Sequence, residues 1–204
     1  MIVLGIESSC DETAAAVVED GHIVHSNVVA SQDELHIEYG GVVPEIASRA
    51  HVERMLPVVE QAIQQANISP SDLDGIAVGN RPGLIGALLV GVTAAKSIAW
   101  SLDVPFVAVD HVLAHLYAPN LGDAHIEYPA LGLVVSGGHT SILNLSSPIE
   151  ATCVCKTVDD AAGEAFDKAA SILGLGWPGG PLVEEAAQGG NDVYKLPRPK
   201  KKNE

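Results

Sequence analysis

A chain of 204 residues with 47% hydrophobic content and a mean hydropathy of +0.23 can bury a real core and should form one or two domains. Its formal net charge of −15 argues against a body that grips a polyanion tightly by itself. No apolar run of 18 residues is free of Gly, Asp, Lys or Ser, so no membrane-spanning helix is expected, and the opening M-I-V-L-G-I-E lacks the pattern of a signal peptide.

Strand signals come first: Ile2–Ile6, Thr13–Val18 and Ile23–Ala30, with turns at Cys10–Glu12 and Asp20–Gly21. Val43–Ala66 then carries helical periodicity, with Pro44 near its start and a polar face of Glu45, Arg49, Glu53, Glu60 and Gln64. After the break at Ser69-Pro-Ser-Asp come a short strand, Asp74–Val78, the loop G-N-R-P-G (79–83) and a long helix over Leu84–Ser101. Small residues along that helix (Gly86, Ala87, Gly91, Ala94, Ala95) predict close packing on a sheet. A strand at Phe106–Val109 completes a βββαβαβ order, which predicts a mixed sheet covered by helices.

His111 and His115, in D-H-V-L-A-H (110–115), follow that strand on a short helix closed by Pro119. Residues at i and i+4 share a helix face, so both imidazoles can address one divalent ion. Two histidines are too few for a stable site, which wants a third ligand, often a carboxylate. Such pairs also occur by accident on surfaces. Further on, Leu131–Val135, the turn S-G-G-H-T (136–140) and Ser141–Leu145 repeat the strand, polar turn and strand of the opening segment. Two such hairpins predict paired domains across a ligand cleft. Their glycine turns, and Gly79–Gly83 before a helix, are either anion cradles or ordinary tight turns.

Three cysteines cannot all pair within the chain, which favours free thiols in a reducing, cytoplasmic setting. Cys153 and Cys155, two apart on a strand, are expected to share a face. Five of the eleven basic residues (Lys195, Arg198, Lys200, Lys201, Lys202) crowd into positions 195–204, which read as a solvated, disordered basic tail.

The runs G-I-E-S-S-C-D-E-T-A-A-A-V (5–17), G-G-V-V-P-E-I-A-S-R-A-H (40–51), P-G-L-I-G-A-L-L-V-G (82–91), D-H-V-L-A-H (110–115), V-S-G-G-H-T (135–140), D-D-A-A-G-E-A-F-D-K (159–168) and G-L-G-W-P-G-G-P (174–181) resemble, in order and over nearly the whole chain, the TsaD family of tRNA threonylcarbamoyladenosine synthesis enzymes. The resemblance implies an α/β fold of the actin-like ATPase kind (ASKHA, ribonuclease H-like). It has two facing α/β domains, here 1–110 and an incomplete 111–194. It implies transfer of threonylcarbamoyl from threonylcarbamoyl-AMP to the exocyclic amine of the tRNA adenosine 3′ of the anticodon. His111 and His115 would then hold one divalent metal, iron or zinc. Val134, Val135, Ser136, Gly137, Gly138, Asp167, Gly180 and Glu184 would line the pocket for an adenine nucleotide (threonylcarbamoyl-AMP or ATP). Asp11 and Glu12 would be the catalytic carboxylates on the first hairpin. Implied partners are the tRNA substrate, a small paralogous dimerisation subunit and a P-loop ATPase subunit (TsaB and TsaE type), with no membrane.

Acyl transfer from a mixed anhydride needs a polarised carbonyl and a stabilised oxyanion, which a Lewis acid supplies. Ser136 and Cys10 have no base identifiable from sequence, so no covalent nucleophile is expected. Two departures stand out: Arg81 where the family pattern has Gly, and Glu184 where many members carry a ribose-contacting Asp. The family pattern continues beyond Y-K-L-P-R-P (194–199) to a nucleotide-binding Asn and a third metal ligand, an Asp. The 204 residues alone are therefore expected to be inactive. The alternatives are a non-catalytic binding or dimerisation module of the same complex, which the histidine pair opposes, and a metalloprotease. The latter needs a Glu beside the first His, where Val112 stands.

Overall fold

The structure, a computed structural model, describes residues 1–121, 126–191 and 193–195. The expected basic tail, apart from Lys195, lies outside the described residues.

Three strands open the chain, β1 (Ile2–Glu7), β2 (Glu12–Glu19) and β3 (Ile23–Ser31), paired antiparallel in sequence order. Every second side chain of the first pair faces inward: Leu4 and Ile6 on β1, Thr13, Ala15 and Val17 on β2. A short α1 (Asp33–His36) and a single 3-10 turn (Ile37–Tyr39), which carry too little periodicity to be read in advance, lead to α2 (Pro44–Gln65). Pro44 suits the first helical position because its missing N–H has no helical acceptor there. Ala47, Ala50, Met55, Val58, Val59 and Ala62 form the buried stripe of α2.

β4 (Gly75–Arg81), α3 (Ile85–Leu102) and β5 (Phe106–Asp110) complete the first layer, in which β1, β4 and β5 run parallel in the order β3-β2-β1-β4-β5. The parallel strands thus deliver Glu7, Arg81 and Asp110 to one edge. α3 packs on β4 and α2 through Ala87, Leu88, Gly91, Ala95 and Ala99. At Gly91 a Cβ would lie 2.3 Å from the Oγ of buried Ser8, the residue that follows β1, so glycine fits this close approach. By length and composition α3 is apolar enough to cross a membrane, with a mean hydropathy of 1.6 over its 18 residues. It carries Gly86, Gly91, Lys96 and Ser97, so it is no uninterrupted apolar run, but a single charged residue among apolar and small ones barely lowers the mean.

α4 (His111–Tyr117) leads to a second, antiparallel sheet of β6 (Ala130–Val135), β7 (Thr140–Ser147) and β8 (Glu150–Lys156). Its core is small: Val134, Leu143 and Leu145, with Val112, Leu116 and Tyr128 against them. A bulge on β8 opposes Cys155 to Ile142 and Cys153 to Leu143, adjacent residues on opposite faces of β7. The two cysteines therefore do not share a face as expected, since one extra residue reverses the alternation. α5 (Ala162–Leu173) and α6 (Gly179–Ala187) pack on each other.

Candidate active and metal site at the ends of the parallel strands

β5 passes into α4 without a loop. The Asp110 carboxylate accepts the N–H groups of Val112 (2.9 Å) and Leu113 (3.3 Å), which caps the helix and fixes His111 at its first turn. His115, one turn on, brings its Nε2 to 3.0 Å from His111 Nε2, with the rings edge to face. With metal–nitrogen distances of about 2.0–2.1 Å, two nitrogens so placed subtend roughly a right angle at a shared ion. The pair therefore fits two adjacent positions on one cation. On its far side His111 Nδ1 lies 3.2 Å from Glu7 Oε2 and 3.2 Å from Ser9 Oγ. Among the described residues no group of three His, Cys, Asp or Glu is gathered closely enough to complete a metal site. The His139 ring centroid stands 6.4 Å from that of His111.

The charges follow the geometry. Hydrogen bonding to Glu7 lifts His111 above the ordinary histidine range, whereas lost hydration and the His111 charge push His115 below it. Burial alone would raise the Glu7 carboxyl, but hydrogen bonds from His111 and Ser9 outweigh it and hold Glu7 low. Of the expected carboxylates, Asp11 ends the β1–β2 turn and Glu12 opens β2. Glu12 is raised by lost hydration and by the charges of Asp11, Asp33 and Glu7, while His111 pulls it back. Neighbouring Cys10 has its thiol pushed up to about 12 by lost hydration and Asp11, which leaves it a poor nucleophile.

The expected nucleotide residues fall into two groups. A cavity of about 710 Å³ beside the histidines is lined by Arg81, Asp110, Gly138, His139, Thr140 and Lys156, among others. It includes only Gly138 of that set. The Ser136 N–H donates to the His139 carbonyl, and the Ser136 carbonyl accepts from Gly163 N–H, so the glycine turn seats the start of α5. Val134 is buried in the small core, whereas Val135 is exposed. Asp167, Gly180 and Glu184 lie on α5 and α6. Asp167 Oδ1 accepts the Gly179 N–H at 2.7 Å and so caps α6; among the described residues no hydrogen bond engages its other oxygen. A Cβ on Gly179 would sit 2.6 Å from Asp167 Cα, while Gly138 and Gly180 have open space.

Glu7, Ser9, Arg81 and Lys156 are the site residues that reading the sequence missed. Glu7 ends a strand and gave no local signal; its partner lies 104 positions away. Arg81 carried one signal, its departure from the family pattern. Its Nε lies 3.5 Å from Asp110 Oδ2, tying the end of β4 to the cap of α4.

Comparison with solved structures finds the ethanolamine utilization protein EutJ of Carboxydothermus hydrogenoformans at a TM-score of 0.51 and 13% identity, over 90% of this chain and 60% of that one. That likeness concerns the fold alone: the chain is α/β and of the actin-like ATPase kind. Curated relatives named tRNA N6-adenosine threonylcarbamoyltransferase include those of Syntrophomonas wolfei (54% identical, 97% of this chain, 58% of the relative) and Treponema denticola (56% identical, 94% and 56%). That of Bacillus subtilis is 52% identical over 97% of this chain and 57% of its own. The chain thus spans somewhat more than half the length of the curated relatives it matches. The family model for TsaD, tRNA N6-adenosine threonylcarbamoyltransferase, matches residues 23–204, and the chain belongs to that family.

Proposed function

We propose that this chain carries part of the active site of a tRNA threonylcarbamoyladenosine synthase. That enzyme transfers threonylcarbamoyl from threonylcarbamoyl-AMP to the exocyclic amine of the tRNA adenosine 3′ of the anticodon. The observation that carries the reading is the convergence of His111 and His115 Nε2, 3.0 Å apart, in a chain of this family. These two histidines hold one divalent ion, iron or zinc, which when bound polarises the acyl carbonyl. Arg81 and Lys156, on the wall of the adjoining cavity, offset the charge of the adenylate phosphate. The amine nitrogen bonds to the carbamoyl carbon, the bond from that carbon to the phosphate oxygen breaks, and AMP leaves. Glu12 or Asp11 takes the amine proton; a carboxyl raised as Glu12 is suits that role. Val134, Val135, Ser136, Gly137, Gly138, Asp167, Gly180 and Glu184 contribute to the nucleotide pocket.

We read 1–110 and 111–194 as its two units and 195–204 as a basic tail. A small paralogous subunit and a P-loop ATPase subunit (TsaB and TsaE type) are the proposed partners, in a cytoplasmic setting. An apolar groove of about 530 Å³ between α2 and α3, with Leu56 and Leu89 exposed, supports a protein partner there. The free thiols of Cys10, Cys153 and Cys155 accord with a reducing compartment.

Two donors hold a cation weakly, so the 204 residues alone are expected to give no modified tRNA. The test supplies the partners, ATP, threonine, bicarbonate and unmodified tRNA, and reads threonylcarbamoyladenosine by mass spectrometry. One reaction uses the 204-residue chain, another a chimera carrying the remaining length of a curated relative. Activity of the chimera that His111→Ala and His115→Ala each abolish is the expected result. Unchanged activity in both variants would overturn the reading.

A further inference from the structure

We propose that Glu7 is a positioning residue that holds His111 in the Nδ1–H tautomer, so that the Nε2 lone pair faces His115 and a divalent cation between them. The inference rests on the reading of His111 and His115 as a metal-binding pair.

A neutral imidazole has one N–H and one lone pair, and a carboxylate can only accept. Glu7 Oε2, 3.2 Å from His111 Nδ1, therefore selects the proton's position on that ring. With Nδ1 protonated, Nε2 presents its lone pair toward His115 Nε2, 3.0 Å away. Glu7 is itself held in place: its other oxygen accepts the Ser9 N–H, and Ser9 Oγ lies 3.2 Å from the same His111 nitrogen. A second, independent feature shows that the fold reserves this seat. At Gly79, on the neighbouring parallel strand β4, a Cβ would lie 2.4 Å from Glu7 Oε2. Only glycine leaves room for the carboxylate to turn toward His111. A ligating histidine whose other nitrogen donates to a carboxylate is fixed in orientation and made a better donor, and losing such a partner typically weakens metal binding about 10–100-fold.

Gly79→Ala gives a test that Glu7→Ala alone cannot. The new methyl meets the end of a flexible side chain, so the carboxylate is displaced while the strand is kept and the charge remains. The probe is Co²⁺, added to the metal-free 204-residue chain at pH 8 and followed by its visible absorption. The His111 tautomer is read separately by imidazole ¹⁵N NMR without metal. Expected are an Nδ1–H tautomer in the parent, its loss in Glu7→Ala and Gly79→Ala, and Co²⁺ binding weakened about 10–100-fold in both. A merely structural role for Glu7 would lower thermal stability and leave the tautomer unmoved. Folded variants that keep the parent's tautomer, or its Co²⁺ affinity, overturn the role of Glu7 and leave the histidine pair standing. A parent whose Co²⁺ binding is absent, or indifferent to His111→Ala, overturns the metal reading and this inference with it.

Discussion

His51 shows at the level of one residue how the first hairpin is fixed. It is fully buried on α2, where its Nδ1 lies 2.8 Å from Thr13 Oγ1 and its Nε2 3.0 Å from the Cys10 carbonyl. A carbonyl can only accept, so Nε2 carries the proton and Nδ1 accepts from the threonine hydroxyl. This pins the turn that presents Asp11 and Glu12. Burial pushes the His51 pKa below the ordinary histidine value. The unfolded chain therefore takes up a proton near pH 6.5 while the folded chain still refuses it. The stability contributed by neutral His51 is complete above about pH 6.5 and declines as pH falls toward the lowered folded value. His111, raised by Glu7, has the opposite sign: its contribution is complete below about 6.5 and is lost as pH rises through its folded value. His51→Met separates the two. At pH 7 it should cost about 1–3 kcal/mol, because Thr13 and Cys10 lose their partner. Between pH 7 and 5 its stability, measured by urea unfolding, should fall less than the parent's. An equal fall in both chains would remove His51 as the acid-sensitive group.

At the scale of elements, the first layer was legible because each of its members buries one face. The period-two pattern of β1 and β2 and the helical stripe of α2 gave element type and order, with ends shifted by a residue or two. Position in space was legible only where the partner was local. The i, i+4 spacing foretold that His111 and His115 meet, but nothing near Glu7 announced its contact with His111. Glycines were the hardest to read. The loop at 79–83, expected as an anion cradle or a tight turn, has Gly79 making room for Glu7 and Gly83 lying against the Ser9 backbone. Asp167 shows the same overlap of roles, since one oxygen caps α6 and the other has no hydrogen bond among the described residues. Asp167→Ala should lower stability by about 0.5–2 kcal/mol through the lost cap. If that other oxygen meets a ribose, the same variant should weaken adenylate binding by about 1.5–3 kcal/mol, measured by calorimetry. Lowered stability with full affinity would leave the cap as its whole role. Gly138→Val is the companion variant: a Cβ there meets nothing within 4 Å among the described residues, so lost affinity would place the nucleotide in the adjoining cavity.

Across the whole molecule the two sheets are unequal. The first is closed on its inner face by α2 and α3 around Leu4, Val17, Met55, Ile76 and Val78. The second encloses only Val134, Leu143 and Leu145, and leaves Leu131 (74% exposed), Leu133 (65%) and Val135 (57%) on an uncovered face of β6. Full burial of such a side chain is worth about 1.5–3 kcal/mol, and these three forgo the larger part of it. The second sheet should therefore open locally at much lower cost than the first. Hydrogen exchange at neutral pH should show amides of β6, β7 and β8 exchanging at least about 100-fold faster, after correction for intrinsic rates, than those of β1, β2 and β4. That ratio corresponds to roughly 2.7 kcal/mol between the two openings. In the chimera proposed above, protection of β6 should rise toward that of β1, because chain laid on Leu131, Leu133 and Val135 would remove their surface from water. Equal protection of both sheets in the 204-residue chain would show that the small core and α4 suffice, and would separate the stability of the second sheet from any cover on that face.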